Sequence, residues 1–236
     1  MSFHFKQFSL EQDRCAMKVG TDGVLLGAWA PIGHNPLSIL DIGAGTGIIA
    51  MMLAQRSFAE QIDALEIDEE AYEQATDNFE NSPWSDRLFC FHAALDEFVE
   101  EPEEDYDLIV CNPPFYTEDY KSDNPKRDLA RFEDAMPFDD LVDAAALLLS
   151  ENGIFSVIIP YKEEVRFIAL AADADLFPIK ITRVKGTPTS EIKRSLIAFS
   201  RNGIENYPID DLIIETDRHI YTVAYIALTK DFYLKM

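Results

Sequence analysis

Residues 37–56 read LSILDIGAGTGIIAMMLAQR, and the fold follows from this stretch. Residues 37–42 are a short apolar run without polar alternation, the pattern of a strand buried on both faces. Residues 41–47, DIGAGTG, interrupt it with three glycines. Residues 46–56 then place apolar side chains at helical spacing. Strand, glycine turn and helix in that order form the first half of a βαβ unit.

Downstream the same alternation continues. QIDALEI (61–67) reads as a strand and EEAYEQATDNFEN (69–81) as an amphipathic helix. RLFCFHA (87–93) and DYDLIVC (105–111) are further strands. FDDLVDAAALLLS (138–150) is a helix with acidic residues in its first turn, closed by Asn152–Gly153. GIFSVIIP (153–160) is a strand and residues 162–174 a helix. FPIKITRVK (177–185) and IKRSLIAFS (192–200) are neighbouring strands around the turn-rich GTPTSE. Strands alternating with helices predict an α/β, Rossmann-like, doubly wound parallel sheet with one antiparallel edge hairpin. Repeats and linkers are missing, so residues 1–236 read as one domain: a segment before the first strand (1–36), a core (37–200) and a C-terminal extension (201–236).

Composition narrows the class. The chain has 236 residues, with 20 Lys plus Arg, 43 Asp plus Glu and a formal net charge of −23. Its apolar runs fall short of the roughly 18 residues that cross a bilayer, and residues 1–10 lack a signal-peptide layout. A cytoplasmic protein without membrane contact is expected. The three cysteines, Cys15, Cys90 and Cys111, are odd in number and widely spaced, which speaks against a disulfide framework or a zinc site. No metal is expected. His4, His34, His92 and His219 are scattered and read as structural or surface residues. Charge is polarised along the chain. Residues 60–105 hold seventeen acidic residues and one basic, whereas 178–202 hold six basic and one acidic, and 121–131 four basic and two acidic.

Three sites carry chemistry, each at a strand's carboxyl end, where doubly wound sheets bind ligands. Gly43, Gly45 and Gly47 let the backbone turn and approach a ligand, and the following helix N-terminus favours an anionic group. A dinucleotide loop of GxGxxG type is the rival, but the third glycine here comes one residue early. Asp41 ahead of the loop suits the cationic amino group of a methionine better than a pyrophosphate. Glu66, nineteen residues after Gly47, can accept both hydroxyls of a ribose, with Leu65 and Ile67 flanking an adenine or serving the core. Asn112-Pro113-Pro114-Phe115 is the most specific signal. Two prolines fix the backbone and remove two N–H donors, exposing carbonyls that an exocyclic amine needs as acceptors. The Asn112 side-chain oxygen and the Pro113 carbonyl are expected to hold the amine with its lone pair toward a methyl donor and to stabilise the developing charge. Phe115 offers a face for a base. A general base is unnecessary, because the methylated amine is acidic enough to lose its proton to water.

DIGAGTG, Glu66 and NPPF in this order resemble the class I S-adenosylmethionine methyltransferases of the amino-methylating group. That resemblance spans roughly residues 37–200 and implies a seven-stranded sheet, with the cofactor over the glycine loop and the target amine at NPPF. A narrower one joins FKQFSLEQDRCAMKVGTDGVLLGAWA (5–30) and LTKDFYL (228–234) to those motifs. Together they are similar to the bacterial tRNA-Val adenine-37 N6-methyltransferase family. It implies S-adenosyl-L-methionine as cofactor, tRNA as partner and a monomer-sized catalytic domain. It also implies a segment before the first strand that closes over the cofactor's methionine end, where Lys18, Gly20, Thr21 and Asp22 stand. Many relatives have an Asp just after the third strand to meet the cofactor's adenine. Here the stretch is His92-Ala93-Ala94-Leu95-Asp96, so backbone near Ala94, or Asp96, is the expected substitute. The alternatives are a ribosomal-RNA guanine-N2 methyltransferase, a protein-glutamine N5-methyltransferase and a nucleotide-binding module without catalysis. For an RNA substrate the basic islands supply the phosphate contacts: Lys121, Lys126, Arg127 and Arg131 after NPPF, and Arg183, Lys185, Lys193 and Arg194 on the hairpin.

Overall fold

The computed structural model describes residues 2–100, 105–114 and 136–235. A two-stranded ladder, β1 (Phe3–His4) with β2 (Ser9–Leu10), precedes helix α1 (Thr21–Trp29). The core then runs β3 (Ser38–Ile42), α2 (Ile48–Arg56), β4 (Gln61–Glu66), α3 (Glu69–Glu80), β5 (Leu88–His92), α4 (Leu95–Glu100) and β6 (Tyr106–Cys111). After α5 (Phe138–Leu148) come β7 (Leu149–Pro160), α6 (Glu164–Asp173), β8 (Phe177–Lys185), β9 (Ile192–Ser200) and β10 (Ile209–Ile213).

The central sheet has the order β10-β8-β9-β7-β6-β3-β4-β5. Strands β7, β6, β3, β4 and β5 are parallel, and β9 runs antiparallel between β7 and β8. The expected seven strands and hairpin are therefore present. The hairpin is not the edge, however, because β10 from the C-terminal extension pairs parallel with β8 outside it. Five residues of β10 bring Leu212 onto the core, which the mixed composition of 205–215 did not advertise.

Both faces are covered, as the unbroken apolar strands require. One core joins α1, α2 and Phe79 of α3 to the sheet; the other joins α5, α6 and the opposite faces of β3, β6, β7 and β9. Residues 149–153 depart from the sequence reading. Helix α5 ends at Leu148, and Asn152–Gly153 lies inside β7 rather than closing a helix. Between Tyr106↔Leu149 and Leu108↔Ile154 the register shifts, so β7 carries extra residues against β6. Gly153 is needed there: a Cβ would meet the Leu149 side chain and the Tyr106 carbonyl oxygen at 2.8–2.9 Å.

The described termini are laced together. Lys6 N–H donates to the Phe232 carbonyl at 2.8 Å, Lys6 Nζ to the Lys230 carbonyl at 2.6 Å, and Phe5 bridges to Tyr233 with ring centroids 5.7 Å apart. A small hairpin, β11 (Glu215–Asp217) with β12 (Ile220–Tyr221), leads into α7 (Val223–Thr229), which packs on α1. The two terminal motifs thus form one clasp, far apart in sequence and adjacent in space.

Candidate active site

The sheet register assembles the site. Ile42 pairs with Leu65 on one side and with Cys111 on the other. One residue further on, Gly43, Glu66 and Asn112 leave three neighbouring strands at the same edge. Strands lie about 4.8 Å apart, so the carboxylate and the amide flank the glycine loop about 10 Å from each other.

The loop turns by positive φ at Gly43 (75°), Gly45 (55°) and Gly47 (77°). Gly43 and Ala44 N–H groups donate to the Leu65 carbonyl at 3.0 and 2.8 Å, which ties the loop to β4. The three glycines have different jobs. A Cβ on Gly47 would lie 2.4 Å from the Phe79 ring, so this glycine makes room for packing at the start of α2. A Cβ on Gly43 or Gly45 would meet nothing within 4 Å. Those two line an open cradle.

Glu66 is half-buried and is held at both oxygens: Gly45 N–H donates to Oε2 at 2.7 Å and Asp68 N–H to Oε1 at 3.0 Å. Each oxygen keeps a lone pair for a diol. Asp41 is fully buried. Its Oδ2 accepts from Ala50 N–H at 3.0 Å, and its Oδ1 has no hydrogen-bond partner among the described residues. Burial pushes its carboxyl up to about 7, with the charge of Glu66 adding to the rise. The residues present fit a ligand carrying a ribose and a carboxylate-and-amine end: an open cradle, a fixed carboxylate and an orphaned buried oxygen. Among the described residues, no group of three or more His, Cys, Asp or Glu is placed to hold a metal.

The segment before β3 is tied to this loop through α3. Asn78 accepts from Glu11 N–H at 2.9 Å and donates to the carbonyls of Glu11 and Thr46, both at 2.9 Å. Gln74 accepts from Arg14 N–H at 3.3 Å, and Gln12 from Val19 N–H at 2.9 Å. Cys15 is buried near Glu66 and Asp68; burial first, then those charges, raise its thiol to about 11. Gly23 abuts Ile48 at the opening of α2. The start of α1 thus lies against α2, where Asp22 pairs with Arg194 at 2.9 Å, and Lys18 and Gly20 are exposed just before it. Gly20 has φ −124°, which any residue adopts. The reading of single motifs missed Gln74 and Asn78, although both sit with Ala71, Ala75 and Phe79 on the buried stripe of α3. Two long amides on an apolar stripe were the available signal.

On the far side, Ile67 is 57% exposed at the end of β4 and His92 Nε2 bonds the Ile67 carbonyl at 3.0 Å while its ring stacks on Tyr72. Ala94 N–H faces Glu97 Oε2 at 3.4 Å, a weak contact, and Asp96 Oδ1 accepts from Glu97 N–H. Pro113 is buried, and Asn112 and Pro114 are half-buried. Phe115, Lys121, Lys126, Arg127 and Arg131 lie outside the described residues. Of the hairpin cations, Arg183 is paired with Glu164 at 2.7 Å, Lys185 with Asp211 at 3.0 Å and Arg194 with Asp22 at 2.9 Å; Lys193 is exposed.

Comparison with known proteins gives the family. The methyltransferase small domain family matches residues 33–168. A Flavobacterium psychrophilum protein named tRNA1(Val) (adenine(37)-N6)-methyltransferase is 76% identical, covering 99% of this chain and 100% of its own length. A Phocaeicola vulgatus protein of the same name is 47% identical over 99% and 98%. Among solved structures, a predicted O-methyltransferase from Agrobacterium tumefaciens superposes with TM-score 0.69 at 21% identity, covering 89% of this chain and 96% of that one, a likeness of fold. No helix among the described residues is long and apolar enough to cross a membrane. The chain belongs to the methyltransferase small domain family, in the group of relatives that bear the name tRNA1(Val) (adenine(37)-N6)-methyltransferase.

Proposed function

We propose that this chain is an S-adenosylmethionine-dependent enzyme that methylates the exocyclic N6 of adenine 37 in tRNA-Val. The carrying observation is full-length similarity to relatives of that name, joined to an open glycine cradle with Glu66 and Asn112 on either side. It favours adenine over the guanine-N2 and glutamine alternatives, and an intact Asn112-Pro113-Pro114-Phe115 motif argues against a module without catalysis.

Gly43, Gly45 and Glu66 would hold the cofactor, with Glu66 on the ribose and Asp41 near the amino end. When bound, it supplies an electrophilic methyl group. The chain's own work is to hold the amine. An adenine N6 lone pair is delocalised into the ring and attacks poorly. The Asn112 side-chain oxygen and the Pro113 carbonyl accept its two N–H bonds and turn the lone pair toward the methyl. The same oxygens stabilise the positive charge that grows on nitrogen. Water takes the surplus proton. An unstacked loop base is the reachable target, because a duplex hides N6.

The test is incubation with tRNA-Val and S-adenosylmethionine followed by nucleoside mass analysis. N6-methyladenosine at position 37 is expected; a methyl group on guanine N2 or on protein would overturn the reading.

A further inference from the structure

We infer that Tyr161 is a stacking platform for an unpaired base beside the target adenine, with Arg183 clamped against the ring; this rests on the tRNA reading above.

The position comes from the register. Cys111 of β6 pairs with Val157 of β7, and β7 continues to Pro160 before a short 3₁₀ turn begins at Tyr161. Tyr161 therefore stands beyond the same sheet edge from which Asn112 leaves, one strand over. Three residues of extended chain carry it about 10 Å further out. That separation suits a neighbouring nucleotide and is too large for the target base itself.

The surroundings are built around the ring. The Arg183 guanidinium lies 5.4 Å from the Tyr161 centroid. Glu164 holds it by a forked contact, with Nε 3.2 Å from both carboxylate oxygens and one terminal nitrogen at 2.7 Å. Ser195 Oγ donates to Glu164 as well. Glu164 is only 4% exposed. A planar cation fixed at two points cannot swing away, so Arg183 stays on the ring. Tyr161 itself remains 38% exposed at the rim, although satisfying a buried Glu164 needs no exposed aromatic there. Exposed Lys162 follows it in sequence, and Arg194, the neighbour of exposed Lys193, pairs across strands with Pro160.

The chemistry also answers the charge problem. A chain of net charge −23 repels polyphosphate at long range. Base–aromatic stacking is short-ranged, tolerant of sequence and independent of that field. A platform of this kind lets an acidic protein hold RNA with few phosphate contacts.

The experiment measures binding of a fluorescent anticodon stem–loop RNA to wild type, Tyr161→Ala, Tyr161→Phe and Arg183→Lys, with S-adenosylmethionine affinity and methylation of the same RNA measured in parallel. Tyr161→Ala should weaken RNA binding about tenfold and Tyr161→Phe by less than about twofold, with cofactor affinity unchanged. Arg183→Lys keeps charge but loses the fork, and should fall between them. RNA binding by Tyr161→Ala equal to wild type would overturn the platform, whatever the methylation shows. Loss of binding in Tyr161→Ala without methylation by wild type would support the platform and overturn the proposed target instead.

Discussion

The Gly45 N–H donates to Glu66 Oε2 at 2.7 Å across the gap between two adjacent strand ends. The residue expected to read the ribose also pins the loop that receives the rest of the ligand. Asp68 N–H holds the other oxygen at 3.0 Å. Glu66→Gln should therefore act twice: its NH2 must face one of two backbone donors, and one acceptor for the ligand is lost. Hydrogen bonds to charged groups are worth about 1.5–3 kcal/mol. S-adenosylmethionine affinity by calorimetry should drop roughly 10- to 100-fold, and unchanged affinity would refute the role.

The glycines separate folding from binding. Gly47→Ala combines φ 77° with a Cβ placed 2.4 Å from Phe79, and should lower stability by about 2 kcal/mol or more. Gly45→Ala has φ 55° but open space around the new methyl. It should cost about 1 kcal/mol in stability and much more in cofactor affinity, because the methyl enters the cradle. Thermal melts with and without S-adenosylmethionine distinguish the two.

Which parts were legible follows from the same physics. Apolar runs such as 37–42 and 105–111 must be strands of a covered sheet, and glycines between strand and helix mark the ligand edge. Residues 149–153 misled because Asn-Gly is a helix stop in isolation, whereas here Gly153 serves a bulge against Tyr106. Strand β10 was hidden because its residues Asp210 and Asp211 are exposed and only Leu212 is buried. Asn78 and Gln74 went unread because their partners are backbone groups more than 30 residues away, which spacing along the chain does not reveal.

Asp41 carries a pH dependence. Folded, its carboxyl holds a proton up to about pH 7, whereas an exposed chain releases it near 3.8. Between those values the unfolded state binds fewer protons, so stability falls as pH rises through that window. Asp41→Asn lacks this loss. Urea titrations from pH 5 to 8 should show wild type declining against Asp41→Asn by up to a few kcal/mol, at 1.36 kcal/mol per unit. A constant difference across that range would refute the shift. A bound cationic amino group would favour the ionised form, so S-adenosylmethionine should bind tighter at pH 7 than at pH 5 in wild type, a dependence that Asp41→Asn should lack.

Asn112 leaves β6 beside the cradle without being part of the glycine loop. Asn112→Ala should reduce turnover on the order of a hundredfold while cofactor affinity stays nearly intact, comparable to removing one preorganised charge-stabilising group. Single-turnover methylation of tRNA, with binding measured separately, reads the two effects. Near-normal turnover would remove the amine-holding role.

The late hairpin bears on the salt dependence of RNA binding. Arg183, Lys185 and Arg194 each face a carboxylate within the chain, from Glu164, Asp211 and Asp22. A cation already paired attracts phosphate less and releases fewer counterions when RNA binds. Lys193 is the hairpin candidate that stands exposed. Lys193→Glu should therefore weaken tRNA binding several-fold, whereas Lys185→Glu, which places a like charge beside Asp211, should act mainly on stability. With so few phosphate contacts from this face, the log–log salt slope for tRNA should lie near the shallow end of roughly −2 to −4, and Lys193→Glu should flatten it by about one. Titrations of tRNA at several salt concentrations give both numbers. An unchanged slope and affinity in Lys193→Glu would mean that the phosphates pass elsewhere on the protein, and that the pairing of the other three cations describes a structural face.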